Sequence, residues 1–447
     1  MPIFAKEVTQ ELERRLLKSR RLYEEAKAFT TEGVQHTRRY MSPCPVYMQK
    51  GEGGMIYDVD GNAYIDWEMA SGPLLLGHRH PYVMQRVIEQ LSRSQAFYFS
   101  NEYEVALAKK IHDDIPSAEV VRLVMTGTDA NILAVRLARA YTGRDLIGQI
   151  EGAYHGCMDY FLAGLRFGKK VYTGAVKESA DKTLVIPWND ELALSKLFEE
   201  QGERIAAVIV EPIMRSVIPP LPGYLEKMRS LCTQYGAVLI FDEVVLAFRF
   251  GHGGAQSHLG VYPDITTLGK AIGGGFPIGG VGGKKDIMEL LSPTYQGDNS
   301  LLAMSTWYSH PVAMVAGLAN LEVLEHEGTY DKLCSLGDTM RQVFAEAIHS
   351  LGLKMQVGGI GPLFKLLLTD RQVIDWKTAQ PEPSVMEAAT TLARRLFTLG
   401  VIMIGPRTFI PGLGKYISTA HTEEMIHKSV EVFKRAVAET DLINVWH

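Results

Sequence analysis

Cysteine is scarce in this sequence, long apolar runs are missing, and acidic residues slightly outnumber basic ones. The four cysteines lie far apart, so they predict neither a metal site nor a redox motif, and we expect reduced thiols. A formal net charge of −5 offers no basic face for nucleic acid. No apolar run is long enough to cross a bilayer, and the charged first residues argue against a secretory signal. These absences predict a cytoplasmic, soluble protein without nucleic-acid or membrane partners.

The sequence does contain enough apolar residues for a large core divided among domains. Its 447 residues are 46% hydrophobic and 22% charged, which is typical of a globular protein with two or three domains. Short apolar stretches alternate with helical ones, and this alternation predicts an α/β fold with a mostly parallel sheet covered on both faces. The predicted strands cover residues 120–125, 145–150, 184–186, 205–210 and 237–241, with helices such as 130–141 and 224–235 between them.

One lysine stands between the end of an apolar strand and a run of glycines. Lys270 precedes glycines at 273–275, 279 and 280, which predict backbone bent closely around something. Asp242 ends another apolar strand, although Glu243 beside it would serve equally well as an acid. An amine and an acid so placed are what an enzyme needs to hold pyridoxal phosphate. The amine forms a Schiff base with the aldehyde, and the acid keeps the pyridine nitrogen protonated.

Polar residues also follow other predicted strands, and ligands of open α/β sheets bind at such strand ends. Gly127 and Thr128 open a helix whose free N–H groups favour a phosphate, although the motif taken alone is better explained as a capped helix start. Tyr154 is suited to lie flat on a cofactor ring or to pack in the core. His155 is interpreted as structural, since nothing in the sequence gives it a partner. A G-x-G-x-x-G pattern after a strand is absent, which disfavours hydride transfer from a dinucleotide.

Segments spread along the chain resemble the class III aminotransferases among the fold-type I pyridoxal phosphate enzymes. Within that family the likeness is to the glutamate-1-semialdehyde 2,1-aminomutase-like members, and it begins at about residue 19. The matching segments are 51–53, 58–62, 72–78, 137–145, 151–156, 210–212, 241–244 and 420–424. The resemblance implies a large domain with a mostly parallel seven-stranded sheet, a smaller α+β domain, and pyridoxal 5′-phosphate as cofactor.

The resemblance also implies domain limits and an assembly. The N-terminal segment 1–85 would contribute to the small domain and to dimer contacts, residues 86–320 would form the cofactor-binding domain, and residues 321–447 the C-terminal small domain. Thr306 matches a threonine that reaches the phosphate from the neighbouring subunit. We therefore expect a homodimer with shared active sites.

The family pattern assigns a role to each cofactor residue. Lys270 would be the Schiff-base lysine and proton carrier, and Asp242 the partner of the pyridine nitrogen. Val244 and Tyr154 would pack against opposite ring faces. The implied cofactor-binding set is Gly127, Thr128, Tyr154, His155, Asp242, Val244, Lys270 and Thr306.

Departures from the aminomutase pattern concern the substrate. Arg39 falls where those enzymes bind the substrate carboxylate, a role that suits the planar guanidinium fork, and Arg407 is a second candidate. Ser71 replaces a pocket tryptophan and would leave more room. The segment 161–179 lacks the glycine- and serine-rich gating loop, which argues against a true aminomutase.

We therefore expect an aminotransferase that moves an amino group between a carboxylate-bearing amino compound and a keto or aldehyde acceptor. Two alternatives use the same chemistry at Lys270. One is an aminomutase that isomerises its substrate without a second compound. The other is a racemase or epimerase that returns the proton to the opposite face.

Overall fold

The structure of the protein, a computed structural model, describes residues 3–164, 174–403 and 412–440, with side chains from residue 6 onward. The strands of these residues are β1 Met48–Glu52, β2 Met55–Asp58, β3 Ala63–Asp66, β4 Val120–Val124, β5 Leu146–Ile150, β6 Thr183–Ile186, β7 Ile205–Val210, β8 Val238–Asp242, β9 Ile265–Gly269, β10 Gly279–Gly283, β11 Gln356–Gly358, β12 Lys365–Leu367, β13 Val401–Ile402 and β14 Gly412–Leu413.

The α-helices of the same residues lie before, between and after these strands. They are α1 Ile3–Arg15, α2 Leu17–Ala26, α3 Pro81–Arg93, α4 Glu102–Asp114, α5 Gly127–Thr142, α6 Asp159–Leu162, α7 Lys177–Ala180, α8 Glu191–Gln201, α9 Tyr224–Tyr235, α10 Gly254–Leu259, α11 Lys285–Met288, α12 Pro311–Leu324, α13 Thr329–Ser350, α14 Pro383–Thr398 and α15 Glu423–Glu439. Within the described ranges, no helix combines the length and the hydropathy that crossing a bilayer requires.

The central sheet has seven strands in the order β4-β10-β9-β8-β7-β5-β6. Strand β10 runs antiparallel to β4 and β9, whereas the other neighbours are parallel pairs. The prediction of an α/β fold with a mostly parallel seven-stranded sheet is confirmed. Strands β5, β7, β8 and β9 are buried over their whole length, because helices cover both faces of the sheet.

The presence of glycine after Lys270 has two different structural explanations. Gly274 and Gly275 have φ angles of +55° and +101°, so this turn uses left-handed backbone as predicted. The same prediction is wrong for Gly279 and Gly280, which lie in the extended strand β10. A Cβ on Gly279 would stand 2.1 Å from the carbonyl oxygen of Thr126, the residue before α5, so close approach of these two backbone segments explains this glycine.

The sheet register brings three chain segments to one edge. Asp242 ends β8 and pairs with Thr267 of the parallel strand β9, and Lys270 follows β9 directly. Val124 at the end of β4 and Gly269 at the end of β9 both pair with Gly279. Strand β4 therefore ends at the same edge, where α5 begins.

Residues from both ends of the chain share the smaller sheets. Strand β13 pairs in parallel with β3 in a sheet ordered β1-β2-β3-β13, and the third sheet has the order β11-β12-β14. Helices α13, α14 and α15 pack on these sheets around the buried rings of Trp67, Phe344, Phe364 and Phe433. This arrangement places β12 and the segment after β14 close to the edge where β8 and β9 end.

Candidate active site

Asp242 is a buried acid at the sheet edge that three hydrogen-bond donors hold in place. It is 4% exposed, and its Oδ2 accepts hydrogen bonds of 2.7 Å from His155 Nδ1 and from Asn131 Nδ2. The Val244 N–H donates to Oδ1 at 3.0 Å. Burial alone would raise the pKa of this carboxyl group, but His155 and the two other donors hold it below its ordinary value. The site therefore presents a fixed carboxylate to a cation.

His155 and Asn131 form the support behind this carboxylate. No partner for His155 was predicted from the sequence, whereas the structure places its ring against Asp242. Asn131 also donates to the His155 carbonyl oxygen at 2.9 Å and accepts from Thr267 Oγ1 at 2.5 Å. Asn131 was missed from the sequence because it lies in the middle of α5, 111 residues before Asp242.

Glu243 belongs to a different environment, which removes it as the alternative acid. Its carboxylate accepts from the backbone N–H groups of Ala255 and Gln256 and from the Gln256 side chain. Burial raises the pKa of Glu243 to about 7 despite these donors. The Glu243 side chain thus stabilises the start of α10 by accepting hydrogen bonds from its backbone, whereas Asp242 is the acid that carries negative charge at the sheet edge.

Lys270 begins a short turn that holds its backbone in an unusual conformation. Its φ angle is +46°, which is uncommon for a residue other than glycine. Asn320 Nδ2 donates to the Ala271 carbonyl oxygen at 2.8 Å and fixes the turn against α12. Burial lowers the pKa of Lys270 to about 8, with Asp242 opposing and Arg249 and Arg215 assisting the decrease. A substantial fraction of neutral amine is therefore present near pH 8, as a nucleophile requires.

The start of α5 offers an anion site at the same edge. Thr126 caps the helix by accepting from the Asp129 N–H at 3.1 Å. A Cβ on Gly127 would stand 2.6 Å from Val244 Cγ1, so only glycine lets α5 pack this closely to the loop after β8. Gly156, with φ +118°, lies against Thr128 in the same way. The predicted residues Gly127, Thr128 and Val244 thus share one small region.

Tyr154 lies beside an ion pair between Glu211, which follows β7, and Arg215. Its N–H donates to Glu211 Oε1 at 3.3 Å, and the same oxygen accepts from Arg215 Nη1 at 2.8 Å. Its hydroxyl group lies 3.3 Å from Cys157 Sγ, and the Arg215 guanidinium is 5.9 Å from its ring centre. Burial raises the pKa of Tyr154 to about 12, so this hydroxyl group stays protonated.

The arginine predicted to bind the substrate is followed and preceded by other exposed residues of one turn. Arg39 and the adjacent Arg38 are both exposed in the turn Thr37–Arg39. Partial desolvation, and then the charge of Arg215, lowers the pKa of Arg38, while Tyr154 and Glu68 raise it, so the charge of Arg38 interacts with residues of the site. Sequence spacing alone does not distinguish two consecutive arginines in a turn without helical or strand periodicity.

The other predicted substrate and subunit contacts are at the surface or outside the described residues. Ser71 is exposed, with φ +71°, in the turn Met69–Ser71, and its N–H donates to the Glu68 carbonyl oxygen at 2.7 Å. Thr306 is exposed at the start of a turn that precedes α12. Arg407 lies outside the described residues, as does the middle of the segment 161–179.

Two lysines that the sequence did not single out lie in or beside the sheet β11-β12-β14 and interact electrostatically with residues of the site. Lys365 lies in β12, and Lys415 follows β14. Burial is the largest cause that lowers the pKa of each, and Arg215 lowers both further. The sequence could have drawn attention to Lys365, because it is a charged residue in an otherwise apolar stretch from Leu363 to Leu368.

The described residues fit pyridoxal phosphate by their chemistry. A fixed carboxylate, an amine with lowered pKa and the free N–H groups of α5 lie at one sheet edge, matching the pyridine nitrogen, the aldehyde and the phosphate. Gly127 and Gly156 let the start of α5 pack closely against Val244 and against the loop after β5, so these segments meet at this edge. Fold and site together define the class of pyridoxal phosphate-dependent enzymes built on a mostly parallel α/β sheet.

Comparisons with known proteins identify the family. The family model for aminotransferase class-III matches residues 37–435. A glutamate-1-semialdehyde 2,1-aminomutase of Thermomicrobium roseum is 39% identical over 428 residues, which cover 94% of this chain and 97% of that protein. An omega-transaminase from Sphaerobacter thermophilus has 32% identity and a TM-score of 0.90, covering 96% and 99% of the two chains. A transaminase with PLP bound has 30% identity and a TM-score of 0.85, covering 95% and 98%.

The chain therefore belongs to the class III aminotransferases and is a pyridoxal phosphate-dependent enzyme. The resemblance stated from the sequence is confirmed, including its aminomutase-like character.

Proposed function

We propose that the protein is a transaminase that moves an amino group from a carboxylate-bearing amino compound to a keto or aldehyde acceptor. The observation that carries this proposal is the partly buried Lys270 side chain, whose pKa is lowered and on which the charge of Asp242 acts, together with the Asp242 carboxylate that His155 and Asn131 fix in place. Pyridoxal phosphate, when bound, supplies an electron sink for the pair of electrons left by the departing proton.

Each residue of the site has a distinct task in this proposal. Lys270 holds the cofactor covalently through Nζ and, once released, moves a proton from the substrate carbon. Its pKa of about 8 suits that task, since a base works best when its pKa is near the working pH. Asp242 keeps positive charge on the ring nitrogen. Val244 and Tyr154 hold the two ring faces, and Gly127 and Thr128 bind the phosphate at the start of α5.

The proposal is tested by mixing the purified holoenzyme with a panel of amino donors and following the visible absorption of the cofactor. A suitable donor should bleach the absorption, and a keto acid should restore it with formation of a new amino compound. Absence of bleaching with every donor of the panel, despite normal cofactor content, would contradict transamination.

An aminomutase is the second candidate, because the relative in Thermomicrobium roseum carries that name at 39% identity. An aminomutase should isomerise glutamate 1-semialdehyde without any second substrate. A racemase would instead exchange the substrate α-proton with solvent without releasing a keto acid. The same donor experiment, with products resolved by chromatography, distinguishes these outcomes.

The lowered pKa of Lys270 predicts how covalent attachment of the cofactor depends on pH. The attacking species is the neutral amine, so below its pKa of about 8 the attachment rate should rise with pH and level off above that value. The rise should approach about tenfold per pH unit, since one proton is lost. Stopped-flow absorbance of apoenzyme mixed with cofactor measures this rate. A rate still rising steadily between pH 9 and 10 would contradict the assignment.

We also propose that the enzyme is a cytosolic homodimer whose partner subunit supplies Thr306 to the cofactor phosphate. Large apolar side chains are exposed in two adjacent segments, with Tyr98 at 92%, Phe99 at 84% and Met304 at 76%. The Asn101 side chain donates to the Ser309 carbonyl oxygen at 3.1 Å and joins the segments. An exposed apolar surface of this kind is typical of an interface.

Introducing a charge into this surface is expected to separate the subunits. Met304→Glu should shift the protein from dimer to monomer and weaken cofactor binding, because a buried unpaired carboxylate is costly. Leu192→Glu is the matched control, since Leu192 on α8 is 84% exposed and lies outside both segments. Light scattering after gel filtration measures the mass. A dimeric Met304→Glu protein with full cofactor content would contradict this interface.

A further inference from the structure

A turn after β7 holds two consecutive residues in left-handed backbone, although neither of them is glycine. Arg215 and Ser216 have φ angles of +53° and +63°. The Val217 N–H donates to the Met214 carbonyl oxygen at 3.1 Å and closes the turn around them. Positive φ at both central residues of such a turn favours glycine, asparagine or aspartate. The turn itself therefore gives no reason for an arginine, and the reason lies in the contacts of its side chain.

The Arg215 side chain forms an ion pair with Glu211, the residue that follows β7. Arg215 Nη1 lies 2.8 Å from Glu211 Oε1, and the two side chains are only 13% and 7% exposed. The same carboxylate oxygen accepts a hydrogen bond from the Tyr154 N–H at 3.3 Å. The guanidinium carbon is 5.9 Å from the centre of the Tyr154 ring, a distance at which a cation interacts with an aromatic face. Arg215 therefore acts on Tyr154 in two ways, through the shared carboxylate and directly at the ring.

The loop after β5 is attached to the ends of two neighbouring strands. Strands β7 and β8 are parallel, and their register places Glu211 and Asp242 at corresponding positions. Glu211 accepts from the Tyr154 N–H, and Asp242 accepts from the next residue of the loop, His155. The position of Tyr154 is thus coupled to that of the His155 ring, which holds the carboxylate of the active site.

We propose that Arg215 is a positioning residue that acts through Glu211 on Tyr154. Its ion pair keeps the Glu211 carboxylate in one place, and this carboxylate holds the loop after β5 so that the Tyr154 ring lies on the cofactor. The inference rests on the proposed function, which assigns Tyr154 to one face of the cofactor ring. Arginine suits the task, because its planar guanidinium group bonds a carboxylate and also packs on an aromatic ring. Without Arg215, Glu211 would be a buried carboxylate that has lost its counter-ion, and it would take up a proton or move.

Arg215→Gly removes the guanidinium group and keeps the turn, since glycine adopts left-handed backbone readily. Turnover should fall about tenfold or more, because a small displacement of the reacting groups is costly. The visible circular dichroism of the bound cofactor should also change, since it reports how the ring is held by its neighbours. This dichroism is measured on the holoenzyme without any amino donor.

Ser216→Gly is the matched control, because it relaxes the adjacent left-handed residue of the same turn. The Ser216 side chain is buried, and its hydroxyl group has no hydrogen-bond partner within the described part of the chain. This variant should keep the wild-type dichroism and turnover within about twofold of the wild-type value.

Glu211→Gln shows whether Arg215 acts through its ion pair. In this background, Arg215→Gly should lower turnover much less than it does in the wild-type protein, because the pair is already lost. Arg215→Lys keeps a positive charge near Glu211 and should retain part of the turnover. Thermal unfolding of each variant ensures that all measurements are made well below its midpoint.

Three results would overturn the inference. These are wild-type dichroism and turnover in Arg215→Gly, equal losses in Arg215→Gly and Ser216→Gly, or losses that simply multiply when Arg215→Gly and Glu211→Gln are combined. Such results leave transamination intact if a donor still bleaches the wild-type cofactor. Conversely, altered dichroism in Arg215→Gly alone, without any donor reaction of the wild-type protein, would contradict the proposed function while supporting the positioning role.

Discussion

Lys270→Ala should lower the turnover number by at least about 10³-fold, because one side chain both holds the cofactor and moves the proton. Phosphate and pyridine contacts do not involve this side chain, so cofactor should still bind without a covalent bond. The measurement is steady-state turnover with the best donor, together with cofactor content after gel filtration. An added primary amine such as methylamine should restore part of the activity, since it replaces the missing base.

Lys285→Ala is the matched control for this variant. Lys285 is an exposed lysine at the start of α11, 15 positions further along the same part of the chain. Its replacement should leave turnover within about twofold of the wild-type value, as for most surface substitutions. Normal turnover of the Lys270→Ala protein would show that another group performs the chemistry.

Asp242→Asn is expected to lower turnover by about 10² to 10³-fold, with a smaller effect on cofactor affinity. The amide has nearly the same shape, but it cannot offer the negative charge that keeps the pyridine nitrogen protonated. The amide also has one acceptor oxygen instead of two, so either the donors of His155 and Asn131 or the Val244 N–H lose their acceptor. Single-turnover kinetics with one donor separates the loss of rate from the loss of affinity.

Glu243→Gln provides the comparison, since the two acids are consecutive in sequence and different in environment. The new amide would face the Ala255 N–H, which now donates to Glu243 Oε2 at 2.6 Å. The variant should therefore unfold at a lower temperature while retaining turnover within a few-fold. A larger loss of turnover in Glu243→Gln than in Asp242→Asn would reverse the assignment of the two acids.

Sequence periodicity was sufficient to place Lys270 and Asp242 at one edge of the sheet. Both follow apolar strands, and strand ends are set by local pattern and by the rules of parallel sheets. Helix α9 was predicted with the bounds found, because its apolar spacing is regular and glycines flank it at both ends.

The site residues that could not be predicted from the sequence are those whose roles depend on contacts between distant segments. Asn131 and His155 are hydrogen-bonded to Asp242, which lies 111 and 87 positions further along the chain, and no local sequence pattern predicts such a contact. The glycines of β10 resemble a bend in sequence, yet they lie in an extended strand, where Gly279 lets the backbone approach the Thr126 carbonyl group. Lys365 and Lys415 belong to different elements of a small sheet whose pairing only the fold reveals.

The most direct test of the account is to reduce the purified holoenzyme with borohydride, digest it and map the cofactor adduct by mass spectrometry. The account predicts one modified peptide, with the pyridoxyl group on Nζ of Lys270 and none in the Lys270→Ala protein. An adduct on Lys365, on Lys415 or on any other residue, or an unmodified Lys270 peptide at full cofactor content, would contradict it.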